Sequence, residues 1–331
     1  MTQPQARSSR LPETGNLWRT DQLRAKGLQA RDIRRLIKHG ELVRLRWGCY
    51  IRAALWEKQP ATVRSVQLIH AHAHGTLTTS TGGYVYSHTS AARLHGLFLW
   101  NVDDLIHILL RVSPSGERLG KDVRGHTRPY TDKDVTTIGR LRVTALERTV
   151  VDCVTALDYR QGLILTDHAL RLGADLGQMQ AMAAGPSGHR GVRNLRMALA
   201  NADARAESAG ETLTRELLAR LRLPMPDTQV DVRTRLGWHR LDFAWRDKKV
   251  ALEFDGKVKY FDYKPTSEVL FQERRREKAL TEAGWFFLRV EWRDLFREQE
   301  FKTRVLDALN RRQPAPEAAA AVEIAGTDPG R

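Results

Sequence analysis

The sequence predicts a multidomain α+β protein, and three observations carry that expectation. At 331 residues the chain has room for two or three domains. Residues 15–59 show two short helical patterns followed by a basic, alternating stretch. Residues 239–256, HRLDFAWRDKKVALEFDG, alternate apolar and polar side chains on both sides of a turn, as a pair of adjacent strands does. Between these ends lies a mixed α/β middle region.

Charge and cysteine content narrow the function classes. The chain holds 54 Lys+Arg against 39 Asp+Glu, a formal charge of +15. A field of that sign points to a polyanionic partner. Nucleic acid ranks ahead of a membrane surface, because no apolar run approaches spanning length. Cys49 and Cys153 lie far apart with no spacing pattern, which fits a reducing cytoplasm and argues against a disulfide framework or a cysteine zinc cluster. The N-terminal MTQPQARSSRLPETG has no apolar stretch of signal-peptide length. Residues 1–14 and 313–331 are expected to be disordered tails, the second rich in Ala, Pro and Gly.

In the first module, residues 15–60, Thr20 is placed to cap a helix running through Lys26, with Gly27 ending it. A second helix is expected over Ala30–His39. Ile33, Leu36 and Ile37 lie on one side, Arg31, Arg34, Arg35 and Lys38 cover the rest, and Gly40 closes it. The stretch from Leu42 to Arg52 then alternates, with Val43, Leu45 and Trp47 on one face and Arg44 and Arg46 on the other. Helix, turn, basic helix and basic hairpin are the parts of a winged helix-turn-helix, whose second helix enters the major groove while the hairpin touches backbone. These six basic residues are the DNA-binding candidates of the module. The alternative is a solvated basic helix on an unrelated bundle.

The middle region, residues 61–204, is rich in histidine. Of His70, His72 and His74 only the first and last would share a helix face, and no cysteine joins them, so a zinc cluster is not expected there. His88 and His95 in SHTSAARLHGL are read as structural hydrogen-bonding groups at the start and end of a helix. Thr144 is placed to cap a helix Leu146–Leu157 that turns Leu146, Val150, Val151 and Val154 inward. No nucleotide-binding glycine loop or nucleophile elbow is present. GPSGHRG at 185–191 lacks the lysine-Ser/Thr ending of a phosphate loop and reads as a turn.

In the C-terminal domain, residues 205–312, a two-residue turn at Asp247-Lys248 would pair Arg246 with Lys249. Leu241, Phe243, Trp245, Val250, Leu252 and Phe254 then share one face; Arg240, Asp242, Ala244, Ala251, Glu253 and Asp255 share the other. Counting outward sets Asp242 opposite Glu253 and Arg240 opposite Asp255. Like charges facing across a hairpin destabilise it, and a divalent cation would offset the repulsion. Mg²⁺ suits a carboxylate ligand set. The other reading is an ordinary solvated face neutralised by Arg240, Lys257 and Lys259. The helix in FQERRREKALTEAG carries Arg274, Arg275, Arg276 and Lys278, either beside the carboxylates to touch phosphates or as a charged face balanced by Glu273 and Glu277. On the following strand, Trp285–Trp292, Arg289 lies opposite Phe286, Leu288 and Val290, with the two tryptophans expected in the core.

These segments resemble two known families. GLQARDIRRLIKHGELVRLRWGCY is similar to the N-terminal domain of AbiEi-type antitoxins, the DNA-binding partners in type IV toxin–antitoxin systems. YSHTSAARLHGL at 86–97 and VTALERTVVDCV at 143–154 look like segments that recur after that domain. From GETLTRELLARLRLPMPDTQV through EFDGKVKY to EAGWFFLRVEW, the chain resembles very-short-patch-repair-like domains of the PD-(D/E)XK, or restriction-endonuclease-like, superfamily. The resemblance spans most of residues 15–310. It implies a restriction-endonuclease-like C-terminal fold, with Asp242 as the motif aspartate, Glu253 as the first acid of the next strand and Glu211 as the acid of the preceding helix. Asp242, Glu253 and Asp255 would then hold Mg²⁺ or Mn²⁺.

One position departs from the pattern. The motif lysine is replaced by Asp255, and Lys259 stands where those domains often carry a histidine, so Lys257 or Lys259 would have to supply the missing cation. Glu211 also fits a capping box, Ser208-Ala-Gly-Glu211. Two functions follow from the resemblance. One is a metal-dependent DNA endonuclease delivered to duplex DNA by its N-terminal module. The other is a non-catalytic antitoxin and repressor with a degenerate nuclease domain and a nucleotidyltransferase-like toxin as partner.

Overall fold

A computed structural model describes residues 11, 17–76, 84–112, 119–185, 191–256 and 267–311. The chain is a multidomain α+β protein with three sheets among the described residues. It divides into two compact units, Met1–Ala209 and Gly210–Arg331. No helix among the described residues is long and apolar enough to cross a membrane.

The first unit opens with strand β1 (Leu17–Arg19), helices α1 (Thr20–Ala25) and α2 (Ala30–Lys38), and the hairpin β2 (Leu42–Arg46)–β3 (Cys49–Arg52). β1 pairs with β3, giving a sheet in the order β1-β3-β2. That three-residue strand moves the cap of α1. Arg19, extended as the last residue of β1, is the N-cap, and its backbone N–H donates to Gln22 Oε1 at 2.8 Å. Thr20, the expected cap, is instead the first helical residue. The glycine stops stand where expected, with Gly27 at φ +85° and Gly40 at φ +70°, a region open to glycine at little cost. Trp18, Leu23, Leu28, Ile33, Leu36, Leu42 and Tyr50 form the core of this module.

The hairpin corrects the expected alternation. A register shift between Arg44 and Arg46 breaks the parity of β2. Leu42 is buried, Val43 and Leu45 are half-buried, and Trp47 is 86% exposed at the turn. The Arg44 guanidinium lies 5.5 Å from the Trp47 ring.

Helices α3 (Ala53–Lys58) and α4 (Ala61–Thr76) follow, and α4 packs against all three strands of the first sheet. A second sheet has the order β6-β5-β4-β8-β7, built from β4 (Tyr84–Tyr86), β5 (Ile106–Leu110), β6 (Val123–His126), β7 (Val135–Ile138) and β8 (Leu141–Thr144). β4–β5 and β7–β8 are antiparallel, whereas β5–β6 and β4–β8 are parallel. Helix α5 (His88–Leu94) joins β4 towards β5.

Beyond this sheet, α6 (Leu146–Ala156), α7 (Tyr159–Arg171), α8 (Leu176–Ala183) and α9 (Val192–Asn201) bury Val150, Cys153, Val154, Leu165, Met179 and Leu195 together. α6 runs over nearly the expected span, but Ala145 is its N-cap. The Thr144 hydroxyl is instead 2.6 Å from the buried Thr149 hydroxyl. Gly191, at φ +86°, starts α9 where a β-carbon would sit 1.9 Å from the Thr155 carbonyl oxygen, so neither its conformation nor its space admits a side chain.

In the second unit, α10 (Ala209–Arg220) precedes β9 (Asp227–Thr234), β10 (Gly237–Trp245) and β11 (Val250–Phe254). Then come α11 (Ser267–Glu282), β12 (Phe286–Val290) and α12 (Glu298–Asn310). The sheet order is β12-β11-β10-β9, antiparallel except for β11–β12, which α11 connects in parallel. The turn of β10–β11 is a 3₁₀ turn, Arg246–Lys248, followed by Lys249 at φ +47°. Phe243 faces Leu252 and Trp245 faces Val250, so one further step sets Asp242 opposite Glu253.

One face of this hairpin is apolar, as expected, with Leu241, Phe243, Trp245, Val250 and Leu252 buried. The other is not an ordinary solvated face: Ala244 and Ala251 are buried in a cluster with Leu280 of α11 and Trp285, leaving Asp242 and Glu253 half-buried.

Candidate functional site

Two carboxylates of the sheet, Asp242 on β10 and Glu253 on β11, interact electrostatically with a third, Glu211 on α10. Gly210 lets α10 approach: a β-carbon there would lie 1.9 Å from the Phe254 ring, which itself stacks edge-on against Trp292 at 5.2 Å. The next residue, Glu211, is buried, and its Oε2 accepts from Gln229 Nε2 at 2.8 Å. Gln229 sits in β9 opposite Asp242, since Val230 faces Leu241 and Thr228 faces Phe243. Its φ of +53° is rare for a residue with a β-carbon and is held by bonds at both ends of the amide. Gln229 Oε1 accepts from Arg240 Nε at 2.7 Å.

Asp242 is the most perturbed acid of the group. Burial pushes its carboxyl up to about 7, the negative charges of Glu211 and Glu253 add to the rise, and the Phe254 N–H and Arg276 oppose it. That N–H donates to Asp242 Oδ2 at 3.0 Å. Glu253 is neutralised from α11. Both Arg276 Nη atoms donate to its carboxylate, Nη1 also to Glu273 Oε1 at 3.0 Å and Nη2 to the Arg240 carbonyl at 2.8 Å. The guanidinium thus offsets part of the charge that a cation was expected to offset.

Not every expected site residue joins this group. Asp255 follows the end of β11, where its backbone N–H donates to the Val290 carbonyl at 2.8 Å. Donor atoms of Asp242, Glu253 and Asp255 do not all come within 4.8 Å of one another, and neither do those of Glu211, Asp242 and Glu253. Residues two apart on one strand face stand roughly 6.6 Å apart, which keeps Glu253 and Asp255 from converging unless the backbone turns. Lys257 and Lys259 lie outside the described residues. Arg289, beside Glu253 in the parallel register, pairs with Glu277 at 2.9 Å and Glu273 at 3.6 Å on α11.

The basic residues of the first module sort into two kinds. Arg31, Arg34, Arg35, Lys38 and Arg44 are exposed. Arg46 forms an ion pair with Asp122, and its side chain is only 19% exposed. The histidines of α4 scatter. His72 Nδ1 is 2.8 Å from the Tyr86 hydroxyl, and His74 Nδ1 is 4.0 Å from Cys49 Sγ. His95 Nε2 donates to the Thr144 carbonyl at 2.7 Å, a structural role as expected. His88 belongs to a different arrangement with His107 and His126, which comes from three elements distant in sequence and leaves no spacing signature.

No family model matches the chain. Over 163 residues, 48% of the chain, it is 31% identical to "Uncharacterized protein Rv2248" of Mycobacterium tuberculosis (strain ATCC 25618 / H37Rv). "Uncharacterized protein MT2308" of strain CDC 1551 / Oshkosh matches to the same extent. The match spans 58% of the length of each of those relatives. Among solved structures, the crystal structure of the RV2827C protein from Mycobacterium tuberculosis aligns with a TM-score of 0.36 and 16% identity, covering 65% of this chain and 79% of that one.

Proposed function

We propose that the chain is a cytoplasmic DNA-binding protein whose second unit carries a divalent-cation-dependent phosphodiesterase site of the restriction-endonuclease type. One observation carries this reading. A half-buried Asp242, with a carboxyl near 7, lies on β10 beside Glu253 of β11 and feels the charge of Glu211 on α10, in an αβββαβ unit. Burying like charges together costs stability, and acids perturbed in this way gather preferentially at functional sites.

The donor chemistry fits a hard cation, since carboxylate oxygens suit Mg²⁺ or Mn²⁺ and the rise in Asp242 signals surplus negative charge. Asp242 and Glu253 would hold it, with Asp255 or Glu211 as a further oxygen donor once the carboxylates draw together on the ion. When bound, such an ion polarises a phosphoryl oxygen and acidifies its water. The chain's own residues do the rest. The Phe254 N–H and the Arg276 guanidinium fix the two strand carboxylates, and Gln229 fixes Glu211. Arg240 is exposed beside them and can meet a phosphate. Lys257 and Lys259 are the remaining candidates for balancing charge on the scissile group. Delivery to duplex DNA falls to the exposed basic face of α2, with the β2–β3 hairpin as the wing of a winged helix-turn-helix.

A second reading is favoured by the Arg276–Glu253 ion pair, because a site that balances its own charge has less need of a metal. In it the chain is an AbiEi-type antitoxin and repressor that binds DNA and a nucleotidyltransferase-like toxin without cutting. Incubating the purified protein with Mg²⁺ or Mn²⁺ and plasmid, against Asp242→Ala, separates the two. Cutting by the wild type alone supports the nuclease. DNA binding without cutting by either protein supports the regulator.

A further inference from the structure

The five-stranded sheet of the first unit gathers three histidines that neither function uses. His126 ends β6 and faces Leu109 of the parallel strand β5, so His107, two residues back on β5, lies on the same side of the sheet. His88 opens α5 from above that side with a φ of +48°, a conformation rare for a residue with a β-carbon. Strain of this kind persists where surroundings over-determine it, and it clusters at functional positions. One ring nitrogen from each histidine lies within 4.8 Å of the other two. His107 Nδ1 is 2.9 Å from His126 Nε2, and the His88 ring stacks on His126 with centroids 3.6 Å apart.

Two of the nitrogens pointing away from this centre have polar neighbours. His88 Nδ1 is 3.0 Å from the Ser87 hydroxyl, which leaves Nε2 for the centre. His107 Nε2 is buried, makes no hydrogen bond among the described residues, and has Asp103 Oδ1 at 3.7 Å. A carboxylate behind one imidazole nitrogen is how metal-ligating histidines are commonly oriented and made more basic. Burial lowers all three imidazoles, His107 and His126 to about 4 and His88 to about 2, with neighbouring histidines adding to the fall at His88 and His126 and Arg124 and Arg93 at His107.

We infer that His88, His107 and His126 bind a single divalent transition-metal ion of the zinc class, with one coordination position left open. His107 would ligate through Nδ1, and His126 and His88 through Nε2. Two nitrogens on one tetrahedral zinc, at about 2.0–2.1 Å each, stand roughly 3.3 Å apart. The 2.9 Å separation of His107 and His126 needs only a small opening to reach that. The His88 ring must turn out of its stack on His126. Imidazole ligands select zinc, copper, nickel or iron over magnesium, so this ion is distinct in kind from the one proposed for the carboxylates.

The test uses the full chain, stripped with chelator and titrated with Zn²⁺ and with Co²⁺ as the spectroscopic probe. The expected result is about one Zn²⁺ per chain, a raised melting temperature and visible d–d bands with Co²⁺. His126 is half-buried at a strand end, so His126→Asn should fold and lose Co²⁺ affinity by more than about 100-fold. Asp103→Asn, at an exposed residue, should lose about 10–100-fold. Asp242→Ala should leave the Co²⁺ spectrum unchanged, which keeps this site separate from the nuclease reading. Failure of the wild type to take up Zn²⁺, or wild-type Co²⁺ binding by folded His126→Asn, overturns the assignment.

Discussion

Asp242 holds a proton that an unfolded chain would release. Its carboxyl moves from 3.8 to about 7 on folding, chiefly through burial. Between those values the folded chain binds a proton and the unfolded chain does not, so stability falls as pH rises from about 4 through 7. Asp242→Asn removes that cost. Without divalent cation it should therefore stabilise the protein at pH 8, by an amount on the order of 2–4 kcal/mol, and do little near pH 4. Urea melts at both pH values check this, and an equal gain at both would show that the raised proton belongs elsewhere. Arg276 acts in the opposite sense, bridging Glu253, Glu273 and the Arg240 carbonyl. Arg276→Ala should cost about 1–3 kcal/mol and push Asp242 higher still, readable as a shift of its carboxyl resonance in an NMR titration. The proposed cation would compete with the Asp242 proton, so its affinity should climb as pH rises through 7.

At the scale of elements, the β10–β11 hairpin was legible because its parity is a property of neighbouring residues. The pairing of Asp242 with Glu253 follows from counting outward from the turn, whatever the turn's conformation. Leu252 is fully buried on the apolar face, and Leu252→Asp should destabilise the second unit by several kcal/mol in a thermal or urea melt. A loss below about 1 kcal/mol would mean the face is wrong. What the pattern missed was the cover that α11 puts over the other face, since Leu280 and Trp285 are far along the chain.

Helix α2 was equally legible from its apolar stripe and glycine stop, and its basic face is exposed. Arg34→Ala with Arg35→Ala should weaken binding to duplex DNA in proportion to the phosphates lost. Wild-type affinity should fall with salt at a log–log slope of about −0.9 per phosphate. A flat salt response would exclude phosphate-driven binding. Arg46→Ala should behave differently and lower stability through Asp122. The β2 bulge defeated the alternation at Leu45 and Trp47, because one extra residue reverses parity beyond it.

For the whole molecule, the chain divides at Ala209–Gly210, and the front module packs on the middle region within the first unit. Helix α4 lies on all three strands of the first sheet, and Arg46 is tied to Asp122. A fragment ending at residue 59 should accordingly melt well below one ending at 209, and comparable melting temperatures would restore an independent front module.

Taken by itself, the sequence determined the α+β class, helix α2, the β10–β11 register and the basic character of the chain, because periodicity, caps and charge act among close neighbours. Only the tertiary structure decided which side chains meet: Arg276 on Glu253, Gln229 on Glu211, and His88, His107 and His126 around one point. Those meetings depend on sheet order and on which helix covers which face. Such long-range choices are set by burial of the whole apolar surface, and no local spacing encodes them.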